Sequence, residues 1–586
     1  MKYRKLEKWD YPEESINLIF FAQLLDELFF DFSLDTYKPS AMNSSLLCEE
    51  ALGIIKEIGN GNIKKPNLQH ILDELCENLS KDPVVSELLS IDLKQINSVL
   101  LNPKEPEAEK KIIVELVLRQ IYLKKYKNKN EDLLKNAIYG DKNFRLIRGL
   151  TRSYATTLIN LGYSSEYISE VVKKFFHYDK NRISGKEAID DFLKIFSEKP
   201  ELFTLVFKIP KSIKNYKTSY ETFNIKFLDE LSDLTYDLSN HKFKKNADQL
   251  YICLSEIKAR DIFSAKSEAE RILDILSTVF GLYHHKEQIN WQPDCLIINE
   301  RTKVVERSKT KINVMHKCAD QKQSQAAKNA NSFLSEFGLE ENSFRKFTRS
   351  AELHSLALSS DSSENQILNL WIALESIIPI NNNDKIANIE HIINSTIPFL
   401  NLIYYQRLVA RFTSDLFNWD KRQTRKVLKN IDGDTSIIKV AKLVSLKEYE
   451  LNRLELNSYF KDFHLMSDRF NYLCYIYSSP KNMLEGLDSH SKRIGWQIRR
   501  VYRARNLIVH CGITPSYIEV LIENIHDYLD TVMNRIIQLA AESKKITSIE
   551  QSFKYVFLVN ANVEKNLDHK NTIFTSEMIN KLYSKI

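Results

Sequence analysis

Between Trp496 and Gly512 the chain reads WQIRRVYRARNLIVHCG, which holds four arginines and one histidine but no acidic residue. Histidine titrates near neutral pH and can take or give a proton, and arginine stays charged and grips paired anion oxygens through its planar fork. On a helix turning about 100° per residue, Arg499, Arg503, Asn506 and His510 fall within about 60° of one another. Val501 and Ile508 lie on the opposite side, where a core belongs, and Leu507 flanks the stripe. The histidine therefore ends a basic and polar face rather than an apolar one. Arg505 lies about 140° from His510 on the same ideal helix. To join one site it needs a helix irregularity, a long reach, or a second subunit.

Such a stripe requires a helical frame, and the composition favours one. With 13 Gly and 13 Pro in 586 residues, long helices and few tight turns are expected, and the length suggests two to four domains. A 43% apolar and 27% charged content is that of a globular chain, not a disordered one. The net charge of +6 permits nucleic-acid binding without indicating it. The seven cysteines stand singly, which suits a reducing cytoplasm better than a disulfide scaffold. MKYRKLEKWDYPEES has no apolar core behind its charges, so no signal peptide is expected. INLIFFAQLLDELFFDF is interrupted by Gln23, Asp26 and Glu27 and reads as a buried helix, not a membrane span.

The fold class expected is mainly α, in four parts. Residues 1–195 form a helical N-terminal region, with helices over Asn67–Leu79, Glu105–Lys125, Arg145–Leu161 and Ser165–Phe176. Residues 196–344 form a small central α/β domain. Its strands are LFTLVFKIP, QLYICLSEI and PDCLIINERTKVVE, and its helix is SAKSEAERILDILSTVF with a cap near Ser264 or Ser267. The stretch from Lys303 to Lys328 reads as a hairpin followed by a connection. Residues 345–545 form a helical bundle that contains SENQILNLWIALESIIPI, ended by Pro379, and a long closing helix over Tyr517–Ala541. Residues 546–586 form a tail in which KYVFLVNAN reads as a strand.

Arg505-Asn506-Leu507-Ile508-Val509-His510 resembles the R-[polar]-x-x-x-H signature of HEPN-superfamily ribonucleases. Leu370–Ile378, LWIALESII, resembles the first helix of the Apea-like HEPN branch found in bacterial anti-phage proteins. Together the two motifs span about 345–545, with 381–490 matching only as generic helices. The resemblance implies a four-helix-type bundle that dimerises and sets two copies of the motif face to face, as a homodimer or higher oligomer in the cytoplasm. It implies a metal-independent endoribonuclease acting in anti-phage defence, or abortive infection, with no cofactor. The substrate is RNA, tRNA included, and the N-terminal part senses a phage-derived trigger or restrains the nuclease. RNA carries its own nucleophile, the 2′-OH, so His510 takes the role of general acid or base. Arg505 stabilises charge on the phosphate, and Asn506 orients the imidazole or binds phosphate. Arg499, Arg503 and Tyr502 are the candidate RNA contacts, and Glu375 is the candidate supporting carboxylate, with Arg505 or Arg499 as its basic partner.

Each of these residues also has a plainer reading. Most helical histidines are structural, a basic stripe is usually a solvated face, and Tyr502 suits packing as well as base stacking. Arg499 and Arg503 suit structural ion pairs equally. YDKNRISGKEAIDDF resembles a calcium loop only superficially, because Ile183 and Ser184 stand where a ligand and a glycine are needed. His284-His285 and His316-x-Cys318 lack further ligands, so neither marks a metal site. KKYKNK at 124–129 reads as the cationic end of a helix rather than an RNA patch. No nucleotide-binding glycine loop and no GxSxG is present. Two other classes of function stay open: a non-catalytic HEPN dimerisation or interaction module, and a sensor that binds a small ligand through the central domain.

Overall fold

The computed structural model describes the whole chain except residues 31–33, 62–64, 198, 217–224, 235, 237–240, 286–289, 310–312, 318–321, 337, 382–385, 543–545, 569–572 and 584–586. It is mainly helical, with one small antiparallel sheet in the middle of the sequence. The chain divides into two compact units. One comprises Met1–Tyr154, Asn181–Lys186 and Asn313–Ile586, and the other Ala155–Lys180 and Glu187–Ile312. Helices from the first 154 residues thus pack in the same unit as the 480–511 segment, where the sequence alone suggests two separate regions.

Seven helices of the larger unit matter here: α1 (Ser44–Gly59), α2 (Pro66–Lys81), α3 (Glu341–Ser359), α4 (Ser363–Ile377), α5 (Asn388–Trp419), α6 (Pro480–Cys511) and α7 (Ile518–Ile537). A shared core joins α4 through α7. Leu370, Trp371 and Leu374 of α4 meet Ile494, Ile498 and Val501 of α6 and Leu521, Ile525 and Leu529 of α7. These positions recur every three or four residues, so one face of each helix is apolar and burying those faces drives assembly. The early apolar run forms helix Ile16–Leu28, which is buried on nearly all sides. Among the described residues no helix is long and apolar enough to cross a membrane.

In the smaller unit the strands β1 (Glu201–Pro210), β2 (Ile225–Leu228), β3 (Gln249–Ala259), β4 (Cys295–Asn299) and β5 (Val305–Arg307) lie in the order β2-β3-β1-β4-β5. Every pairing is antiparallel. Central β1 is covered on both faces. Leu205 and Phe207 pack toward helix Ile262–Gly281, and Val206 packs with Phe243 and Tyr251 on the other side. That explains its unbroken apolar reading. The helix is capped by Asp261, whose carboxylate accepts from the Phe263 and Ser264 N–H groups, rather than by Ser264 or Ser267.

Three local expectations are corrected. KYVFLVNAN lies within helix Ile549–Leu567, because Ser548 caps it and Phe553 and Val556 bury at helical spacing. The lysine run follows a break at Tyr122 and so opens helix Leu123–Tyr139 instead of closing one; Lys127 and Lys129 pair with Glu131 and Glu87. The stretch read as a connection contains helix Gln323–Glu336. Ile183, the residue that spoils the calcium-loop pattern, is buried and bridges to Trp9.

Candidate functional site

The stripe lies on α6, and local chemistry sets both ends of that helix. Ser479 accepts a hydrogen bond from the Asn482 N–H, and Pro480 occupies the first turn, where its missing N–H costs nothing. At the other end Gly512 adopts a left-handed φ of 64°, its N–H bonds the Ile508 carbonyl, and the Ile513 N–H bonds the Leu507 carbonyl. This closure suits glycine, which has no Cβ to clash there. It stops the helix two residues after His510 and leaves the imidazole exposed in the last turn. His510 has no hydrogen bond or ion pair among the described residues.

The α-helix is unbroken through residues 499–511, so no irregularity redirects Arg505. Its side chain instead bends to its neighbour. Arg505 Nη1 donates to Asn506 Oδ1 at 2.9 Å, and both side chains are half-buried. Arg505 has no carboxylate partner among the described residues.

The other three arginines are all committed. Arg499 is held bidentately by Glu390, through Nε at 3.0 Å and Nη2 at 2.7 Å, and His70 Nε2 reaches the same carboxylate at 3.1 Å. The His70 hydrogen bond, together with the Arg499 fork, holds the Glu390 carboxyl down to about 2 against the cost of burial. Arg503 donates from Nε and Nη2 to Glu50 Oε1 at 3.0 and 2.7 Å. Arg500, only 1% exposed, bonds Glu50 at 3.0 Å and Glu74 at 2.7 Å. The result is a buried quartet of two arginines and two acidic side chains, linking α6 to α1 and α2. Desolvation pushes the Glu74 carboxyl up, aided by the charge of Glu50 and opposed by Arg500. Glu50 is desolvated as well, but Arg500 and Arg503 together hold it below its usual range.

Neither Arg499 nor Arg503 is therefore presented to a phosphate: each fork is already taken by a carboxylate. Tyr502 is half-buried against Trp371, with ring centroids 5.5 Å apart, which is a packing contact rather than a stacking platform. Glu375 is exposed and accepts from Asn388 Nδ2 at 3.4 Å, so the carboxylate that serves Arg499 is Glu390. What remains at the end of α6 is Arg505, Asn506 and His510. Exposed Val509 and Ile513 lie beside them, and Thr514 donates to Glu364 at the start of α4.

Sequence reasoning missed the acidic partners Glu50, Glu74 and Glu390, which lie more than 100 residues from their arginines. It also missed His354, His526 and Asp530, whose ligand atoms all lie within 4.8 Å of one another. The spacing His526-x-x-x-Asp530 was a visible signal for two of them. Of the two pairs considered earlier, His284-His285 belongs to no metal-type cluster among the described residues, and Cys318 lies outside them.

No family model, curated protein or solved structure matches the chain.

Proposed function

We propose that the protein is a metal-independent endoribonuclease of the HEPN type, acting in anti-phage defence, with Arg505, Asn506 and His510 as its reacting set. One observation carries the reading. Of the charged groups on the last turns of α6, Arg499, Arg500 and Arg503 are neutralised by carboxylates, whereas the Arg505–Asn506 pair and His510 are not. In the proposed reaction an imidazole takes the 2′-OH proton and the freed oxygen attacks the adjacent phosphorus. The 5′-oxygen leaves with a proton, giving a 2′,3′-cyclic phosphate and a 5′-hydroxyl. The Arg505 guanidinium stabilises the extra negative charge on the phosphorane oxygens. A second copy of the chain supplies the second imidazole, and exposed Val509 and Ile513 give it an apolar surface to cover. The buried quartet supports a restraining role for the N-terminal helices, because it ties α6 to α1 and α2.

The test is to express wild type, Arg505→Ala and His510→Ala, challenge cells with phage and sequence RNA ends. Protection and cyclic-phosphate ends are expected only with wild type. If both variants protect and cut like wild type, the reading is wrong.

A further inference from the structure

His526 and Asp530 sit four residues apart on α7, which places them on one face. His354 approaches that face from α3. His354 Nε2 lies 3.2 Å from Asp530 Oδ1, His526 Nε2 lies 3.4 Å from Asp530 Oδ2, and the two imidazole centroids are 5.0 Å apart. A tetrahedral zinc ion with ligand bonds of about 2.0–2.2 Å separates its ligand atoms by roughly 3.3–3.5 Å. Each histidine nitrogen lies at about that edge from one Asp530 oxygen, Oδ1 for His354 and Oδ2 for His526, and with one ligand atom per residue all three lie within 4.8 Å of one another.

These contacts have a plain alternative, a histidine–aspartate hydrogen-bond cluster. The geometry argues against it, because His354 Nε2 is buried from solvent and its 3.2 Å contact with Asp530 Oδ1 is not aligned as a hydrogen bond. A buried ring nitrogen without an aligned hydrogen bond is costly unless something else occupies its lone pair. Asp527, the other nearby carboxylate, is engaged bidentately by Arg407 at 2.6 and 2.8 Å and so is not available as a ligand. His316 is a further electrostatic neighbour of His526.

We propose that His354, His526 and Asp530 form a three-ligand site for a divalent transition-metal ion of the zinc class, clamping α3 to α7. Two imidazoles and one carboxylate suit such an ion and not calcium or magnesium, which call for oxygen ligands. The site is graded in exposure: the side chains of His526, His354 and Asp530 are 6%, 18% and 38% exposed. A fourth position therefore faces solvent beside Asp530, where water completes the shell. None of the three residues belongs to the proposed RNA-cutting set, so the two ideas fail independently.

The experiment uses the full chain, stripped with a chelator and dialysed, and titrated with zinc chloride by calorimetry and with cobalt chloride by visible absorption. One equivalent of zinc per chain is expected, together with cobalt bands typical of nitrogen and oxygen ligands and no thiolate charge-transfer band. His354→Gln and Asp530→Asn are each expected to weaken zinc binding by about tenfold or more, with an unchanged circular dichroism spectrum. Binding well below one equivalent, a thiolate band, or wild-type affinity in both variants overturns the proposal. If either variant fails to fold, the wild-type stoichiometry and cobalt spectrum decide alone.

Discussion

Arg505 Nη1 donates to Asn506 Oδ1 at 2.9 Å, and the Arg505 Nε is buried without a hydrogen-bond partner. Adjacent residues on a helix project about 100° apart, so only a long, bent side chain brings them together. The pair thus answers how Arg505 reaches the polar stripe: by its own reach, with no break in the helix. It also leaves the guanidinium without a carboxylate among the described residues, unlike its three upstream neighbours.

Arg505→Lys tests whether the fork matters beyond its charge. Lysine keeps the cation but loses the planar, two-pronged donor. If the proposed chemistry holds, cleavage of an RNA substrate falls on the order of 10²-fold or more. Product formation by gel assay measures it, and a lysine variant that cuts at the wild-type rate contradicts the role given to Arg505.

Glu50→Ala tests the buried quartet. The substitution leaves Arg503 without its carboxylate and Arg500 with only one. Breaking a buried pair in this way costs about 3–5 kcal/mol. Urea unfolding followed by circular dichroism is expected to show a clear drop in midpoint. A loss below about 1 kcal/mol, the range of a surface pair, would count against the buried cluster.

Gly512→Ala isolates the helix stop. Nothing lies within 4 Å of the position a Cβ would take, so the cost comes from the left-handed backbone alone. A loss of about 1 kcal/mol is expected. The same variant shifts the turn that presents His510, so cleavage is expected to fall along with stability.

Glu390→Gln bears on the acid limb. Glu390 faces His70 and Arg499, and its folded carboxyl titrates at about 2, below the ordinary value of 4.5. The stabilisation is fully present above pH 4.5 and is lost as pH falls toward 2, because the unfolded chain binds the proton more readily. The variant is expected to be less stable at neutral pH, with a flatter decline between pH 4.5 and 2. Parallel unfolding curves for wild type and variant across that window would refute the assignment.

Much of α6 could be read locally. Val501 and Ile508 on one side and Asn506 and His510 on the other already specify an amphipathic helix, because helical periodicity involves only neighbours three or four residues apart. The strands β1, β3 and β4 were visible in the same way, as short β-branched and aromatic runs. KYVFLVNAN was not, since a short apolar run fits strand and helix equally and only the packing of Phe553 and Val556 decides.

Which arginines are spoken for was beyond any local reading. Arg500 and Arg503 are about as basic in sequence as Arg505, and nothing near them is acidic. Their carboxylates lie 426 to 453 residues away. The sequence alone determined a helix that ends in an arginine, an asparagine and a histidine, because side-chain types and helix geometry are local properties. Only the tertiary structure decided that Arg499, Arg500 and Arg503 pair with distant carboxylates while Arg505 does not, because an ion pair depends on distance in space.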